Sequence, residues 1–512
     1  MPQITVPANT VLCAAVLLFS VASSCAQSIA VPWSGHGHDA QHTGLSQVAS
    51  QPLNRIVWQK PVDLPNTANV TLYIHYGSPV ITRQNTVIFP RKTSAAGDFV
   101  IEARAGSDGS LVWMRTTDYL LPAASWKPPC GPALTPKNRL WYPGAGGTVF
   151  YRDAPDVAAG EPVRVAFYGL SNYEAATANF NASVKISTPI TSDRYGNIFF
   201  GFEVNGTTAP ALQSGLARIA EDGTGTWISA SAASNPGPGD LAVTKVVMNC
   251  APALSNDHRT LYVALSAGNG GGGYLVALDS RTLAPISKVR LKDVLTPGND
   301  AMLLDDGTAT PTVGPDGDVY FGVFEGDWSA ANHYRGWLRH FDATLAQSKP
   351  AGAFGWDHSA SIVPASLVAS YHGTSPYLLL SKYNDYAGIG GTGRNKVAIL
   401  DPNDTMPIGT TGATVMKEVI TIEGPTPDDE YPSVPGAVRE WCINTVAIDP
   451  FNKCACVHSE DGNIYRWDFA TNTFTQALNL TPQLGEAYTP SVIGVDGTVY
   501  VIANSILFAV GQ

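Results

Sequence analysis

Short apolar runs interrupted by turn residues recur from one end of the chain to the other. The recurring phrase is a small residue, a Pro, one or two aliphatic residues, a polar turn, then a run rich in Val, Ile, Tyr and Phe. Clear copies begin at Ser78 (SPVITRQNTVIFP), Gly131 (GPALTPKNRLWYPG), Thr188, Ala251, Thr310 and Thr489, and weaker ones at Ser359 and Ile443. The anchors Pro79, Pro132, Pro189, Pro252, Pro311, Ser361, Asn444 and Pro490 follow one another at roughly fifty to eighty residues. Runs of five to seven residues, β-branched and aromatic and set between Asp-Gly or Asn-rich turns, predict strands joined as hairpins. Each unit offers four: in the first they are SPVIT, TVIFP, FVIEARA and LVWMRT, and in the fourth PALS, TLYVALS, GYLVALD and ISKVRL.

A strand-and-turn repeat of this length predicts sheets arranged radially, an all-β eight-bladed β-propeller of four-stranded antiparallel blades. The eighth unit is one strand short, with only YTPSVIG, TVYVIA and ILFAVG before Gln512. The segment Arg55 to Lys60 (RIVWQK) precedes the first unit and is the natural candidate to complete the last blade, which would leave no bare sheet edge. The organisation read from the sequence is thus a signal peptide over 1–26, a lead-in over 27–54 and a propeller over 55–512.

The apolar stretch Val11 to Ala22 has the length of a signal-peptide core and is too short to span a bilayer as a helix, although no Lys or Arg precedes it. Ser24-Cys25-Ala26 supplies small residues for cleavage, and Ala22 argues against lipid anchoring at Cys25. A secreted or periplasmic protein without a transmembrane segment is expected, and a monomer. The formal charge of −11 comes without any basic stripe, which excludes the usual nucleic-acid binders. Beyond the leader an odd set of five cysteines remains: Cys130, Cys250, Cys442, Cys454 and Cys456.

Two passages carry a family resemblance. The segment Pro32 to Ser46 (PWSGHGHDAQHTGLS) is similar to the W-x-x-x-G-x-D-x-x-x-T-G lead-in, and Ala103 to Trp113 (ARAGSDGSLVW) to the blade-docking motif, of quinoprotein-like propellers with pyrroloquinoline-quinone-type repeats. The resemblance implies an eight-bladed ring in which Gly109 makes a turn and Trp113 packs between neighbouring blades. The dehydrogenases of that family carry adjacent cysteines against the cofactor; this chain has no Cys-Cys pair and no Cys-x-x-Cys-His. No cofactor is therefore expected, pyrroloquinoline quinone least of all. Calcium stays open through Asp300, Asp305 and Asp306, though nothing matches an EF-hand loop. His36, His38 and His42 are dense enough to be weighed as ligands for a transition metal, but they coincide with the structural lead-in.

Connections entering the first strand of each unit converge on one mouth of a propeller's channel. They deliver Trp126-Lys127, Trp356-Asp357-His358 and Arg439-Glu440-Trp441, with His75-Tyr76 and Tyr488 at comparable places. Aromatic faces beside charged hydrogen-bonding groups suit a small molecule, a glycan or a protein partner at that mouth. The alternative is a carbohydrate-active enzyme. A lyase would use Arg439 or Lys127 to neutralise a uronate and His358, His75 or Tyr76 as base, whereas a hydrolase would use Asp357 and Glu440 as its carboxyl pair. A diverged quinone-dependent dehydrogenase comes third.

Overall fold

The computed structural model describes residues 1–3, 32–63, 77–94, 98–122, 130–235, 239–408, 411–482, 484–486 and 488–512. The leader with Cys25, and the candidates His75, Tyr76, Trp126 and Lys127, lie outside the described residues.

Alternating patterns and turn residues become strands, and the strands assemble into eight antiparallel sheets among the described residues, each four strands deep from axis to rim. The first blade runs Val80–Ile81, Thr86–Lys92, Phe99–Ala105 and Leu111–Thr117. Innermost strands are short and fully buried, because eight of them meet around one axis. Outermost strands such as Thr473–Asn479 alternate exposed and half-buried positions, as a strand facing water on one side must. In the eighth blade the outermost strand is Arg55–Pro61, antiparallel to Ile506–Gly511 with Arg55 opposite Gly511 and Lys60 opposite Leu507.

Tryptophans tie blade one to both of its neighbours. Trp113, in the outermost strand of blade one, donates its indole N–H to the Pro155 carbonyl of blade two at 2.6 Å, under the Arg152 guanidinium. Trp58, on the closing strand, does the same one step back around the ring, donating to the Gly106 carbonyl of blade one at 2.9 Å. Gly109 has a φ of 70°, and a Cβ there would come within 2.7 Å of the Trp58 ring, so the docking-motif glycine both turns the chain and makes room for the indole.

The lead-in follows the ring's inner wall. Backbone N–H groups of the innermost strands donate to it in order: Ile81 to Trp33, Leu134 to Ser34, Leu254 to Ala40, Val313 to Gln41, Ile362 to Thr43 and Ile448 to Gly44, at 2.7 to 3.0 Å. Gln51 N–H then donates to Gly497 in blade eight. Asp39 braces the segment by accepting from Gln41 N, Thr43 N and Thr43 Oγ1, with His38 Nδ1 at 3.2 Å. His42 Nδ1 lies 2.8 Å from the Pro311 carbonyl. Asp39 and His42 thus hold backbone and His38 holds Asp39, and among the described residues no group of three or more His, Cys, Asp or Glu is placed to hold a metal ion. All five described cysteines are buried free thiols. No helix among the described residues is long and apolar enough to cross a membrane.

Candidate functional site

Four successive connections into the innermost strands of blades five to eight meet around one cavity of about 180 Å³. Asp306 and Thr308 come from the approach to Thr312–Val313, and Trp356 and Asp357 from the approach to Ser361–Pro364. Glu440 precedes Ala447–Asp449 and Tyr488 precedes Val492–Ile493. Tyr386 is added by the loop between Tyr377–Tyr383 and Lys396–Pro407. The radial repeat explains the meeting: equivalent connections of neighbouring blades end at the same height around the axis.

The groups behind the lining set its electrostatics. Lys382, near the end of a strand that apart from Ser381 is otherwise apolar or aromatic, has no exposed side-chain surface. Its ammonium lies 2.7 Å from Asp357 Oδ2, 4.7 Å from the Tyr488 ring centroid and 5.3 Å from that of Phe354. The other Asp357 oxygen accepts no hydrogen bond although the residue is only 3% exposed, and Trp356 Nε1 is likewise without a partner. Glu440 and Glu460 are joined through backbone: Glu440 N–H donates to Glu460 Oε2, and Glu460 N–H to the Glu440 carbonyl, both at 3.0 Å. Burial holds the Glu440 carboxyl well above the usual carboxylate range; Glu460 and Glu486 reinforce this and Lys382 opposes it. Burial also pushes Glu460 up to about 7, against the Glu440 backbone hydrogen bond and Arg439, and pushes Glu486 up to about 8 with Glu460 and Glu430 reinforcing it. Burial also raises Asp306.

Of the residues expected at this mouth, Trp356, Asp357, Glu440 and Tyr488 line the cavity together. Arg439 does not: its guanidinium is taken up by Glu460 at 3.0 Å, Glu430 at 3.1 Å and Asp429. Trp441 is fully buried, donates to the Asn395 carbonyl and packs on Tyr465 and Phe474. His358 is fully buried outside the lining, accepts from Lys382 N–H at 3.3 Å, and is lowered to about 3 by burial and then by the Lys382 charge. Of the three aspartates weighed for calcium, Asp300 is bound by Arg290 and Lys292, Asp305 is bound by Lys245, and Asp306 lines the cavity.

Sequence reasoning did not place Lys382, Tyr386 or Thr308 here. A lysine inside the run YLLLSKY was a usable signal, because a cation flanked by core residues needs a carboxylate partner. A larger groove of about 620 Å³ lies at Arg164–Leu170 and Trp227, but Arg164, the basic side chain of its lining, is already paired with Asp118.

No protein-family model matches the chain. No curated protein matches it either. Among solved structures it resembles a europium-containing methanol dehydrogenase at 10% identity and a TM-score of 0.52, covering 92% of this chain and 89% of the other. A quinohemoprotein alcohol dehydrogenase from Comamonas testosteroni matches at 13% identity and a TM-score of 0.54, over 94% and 77% of the two chains. BamB from Moraxella catarrhalis matches at 14% and 0.43, over 90% and 99%. At such identities the first two likenesses speak of fold alone, and the fold is an eight-bladed β-propeller.

Proposed function

We propose that this protein is an exported, monomeric recognition module that takes a small organic ligand into the cavity at the channel mouth. The observation that carries the reading is the unsatisfied chemistry of that cavity. Three aromatic side chains, Trp356, Tyr386 and Tyr488, share about 180 Å³ with a buried carboxylate oxygen of Asp357 and an indole N–H of Trp356 that have no partners. Buried polar atoms are normally satisfied, and exceptions concentrate where a guest binds. Export rests on the Val11–Ala22 stretch, and the monomer on an eighth blade completed by the chain's own Arg55–Pro61 rather than by a second copy.

Pyrroloquinoline quinone does not suit this lining. It carries three carboxylates of its own, and the cavity presents Asp306, Asp357 and Glu440 with no basic side chain among the described residues. No step through a quinone is therefore derived. The hydrolase reading keeps one specific support. Burial raises the Glu440 carboxyl above the usual carboxylate range while Asp357 is ion-paired with Lys382, a division of labour that acid catalysis by paired carboxyl groups uses.

The test is a glycan-array and small-molecule binding screen on the secreted chain, followed by Trp356→Ala. Retention of a ligand that falls by about tenfold or more in the variant supports the reading. A screen without any ligand, or a ligand indifferent to Trp356, refutes it. Release of reducing ends from a polysaccharide, abolished by Glu440→Gln, would move the assignment from binder to enzyme.

A further inference from the structure

We propose that the ligand of the channel-mouth cavity is a small organic cation, an ammonium group on a carbon frame; this rests on the reading of that cavity as a binding site. The lining supplies three carboxyl groups, Asp306, Asp357 and Glu440, and no basic side chain among the described residues. Lys382 stands directly behind, but its ammonium is committed to Asp357 Oδ2 at 2.7 Å. Arg439 is committed to Glu430, Glu460 and Asp429.

The second Asp357 oxygen is buried and accepts nothing. A carboxylate oxygen kept from water without a donor is costly, so the site favours a guest that brings N–H groups. An ammonium ion brings several N–H donors together with a positive charge. Trp356, Tyr386 and Tyr488 line the same space, and aromatic rings attract a positive charge placed over their faces. The Thr308 hydroxyl donates to the Asp357 carbonyl and so does not satisfy the carboxylate in place of a guest.

Other guests fit worse. An anion would meet carboxyl groups of its own sign. A hard metal ion needs several oxygens converging on one point, and among the described residues no group of three or more candidate ligands does so. A neutral polyol could occupy the space but would bring only hydroxyl donors, without a charge, to the unpartnered Asp357 oxygen.

Cation binding is coupled to protons through the groups that face one another here. Asp306, Asp357 and Glu440 line the cavity; Glu460, Glu486, Cys442, Tyr386 and Tyr488 surround Glu440; Lys382 and Arg439 are the neighbouring cations. Burial and the neighbouring carboxyl groups raise Glu440 in the empty site. A cation among these groups favours the ionised form, so amine and proton compete and binding tightens as pH rises.

The experiment is isothermal titration of the full chain with glucosamine and 1,4-diaminobutane, each against its neutral counterpart, N-acetylglucosamine and 1,4-butanediol. An amine should bind about tenfold or more tightly than its counterpart, with affinity rising from pH 6 to pH 8. Glu440→Gln, which keeps the shape and leaves the Lys382–Asp357 pair intact, should remove most of that preference and flatten the pH dependence. Asp357→Asn strands Lys382 in the core, so it serves only as a second variant, scored after circular dichroism shows it folded. Neutral compounds binding as well as amines would overturn the cation while leaving the cavity a binding site. Calcium binding with no amine binding would overturn it in favour of a metal site. Indifference to every probe, together with an empty glycan array, would remove both this inference and the reading beneath it.

Discussion

Glu486 shows what a single buried carboxyl does to the energetics of this rim. Its carboxyl lies 3.8 Å from the Cys442 sulfur, and burial, then Glu460 and Glu430, push it up to about 8, against about 4.5 in an unfolded chain. A group whose folded value is raised contributes stability below the unfolded value and loses it as pH climbs through the folded one. The window for Glu486 therefore runs from about 4.5 to about 8. His36 and His358 act in the opposite sense, since burial lowers both to about 3 and their contribution disappears on acidification below about 6.5. Glu486→Gln removes only the first effect. Urea unfolding should show the variant equal to the parent near pH 4.5 and more stable by on the order of 2 kcal/mol at pH 8.5. Equal curves at both pH values would mean that Glu486 is solvated in the folded protein.

Among the elements, the lead-in carries more of the architecture than its irregular conformation suggests. It answers inner-strand N–H groups from six blades in turn, so it satisfies backbone that would otherwise face an empty channel. Gly44 is its tightest point: φ is 62°, and an added Cβ would sit 2.6 Å from the Val446 carbonyl oxygen and 3.0 Å from Ser361 Oγ. Gly44→Ala combines a left-handed backbone with a clash against another blade and should cost about 2 kcal/mol or more, read as a lower denaturation midpoint. Gly298→Ala, where an added Cβ meets nothing within 4 Å, is the control and should shift stability by less than about 0.5 kcal/mol. The strands were legible because Pro-anchored inner strands and alternating outer ones write their environment into the sequence. The lead-in's route was not, since its contacts with the inner strands run largely through backbone and do not depend on which side chains those strands carry. The cavity was half legible for a related reason. Trp356, Asp357, Glu440 and Tyr488 sit at repeat-equivalent places, whereas Tyr386 comes from a hairpin loop and Lys382 from a strand, and only packing reveals that they face the same space.

At the scale of the whole molecule, the ring depends on one seam between segments about 450 residues apart, where Arg55–Pro61 pairs with Ile506–Gly511. Every other blade is continuous in sequence, so its strands are held by short loops as well as by hydrogen bonds; the seam has only pairing and packing. Trp58 compensates, since its indole N–H reaches the Gly106 carbonyl of blade one and its ring lies 5.7 Å from Tyr500 of blade eight, joining three parts of the circle. Removing a tryptophan that is 9% exposed should cost about 3 kcal/mol. Because the loss falls on the seam, it should appear locally before it appears globally. Native-state hydrogen exchange on Trp58→Ala should show the amides of Val57–Gln59 and Leu507–Val510 exchanging faster while those of Leu261–Leu265 in blade four keep their protection. The bared edge would also pair with a second copy, so the variant should gain a concentration-dependent dimer on size-exclusion chromatography. Uniform acceleration in every blade would mean that the ring opens all at once and that the two ends of the chain are no weaker a joint than the loops.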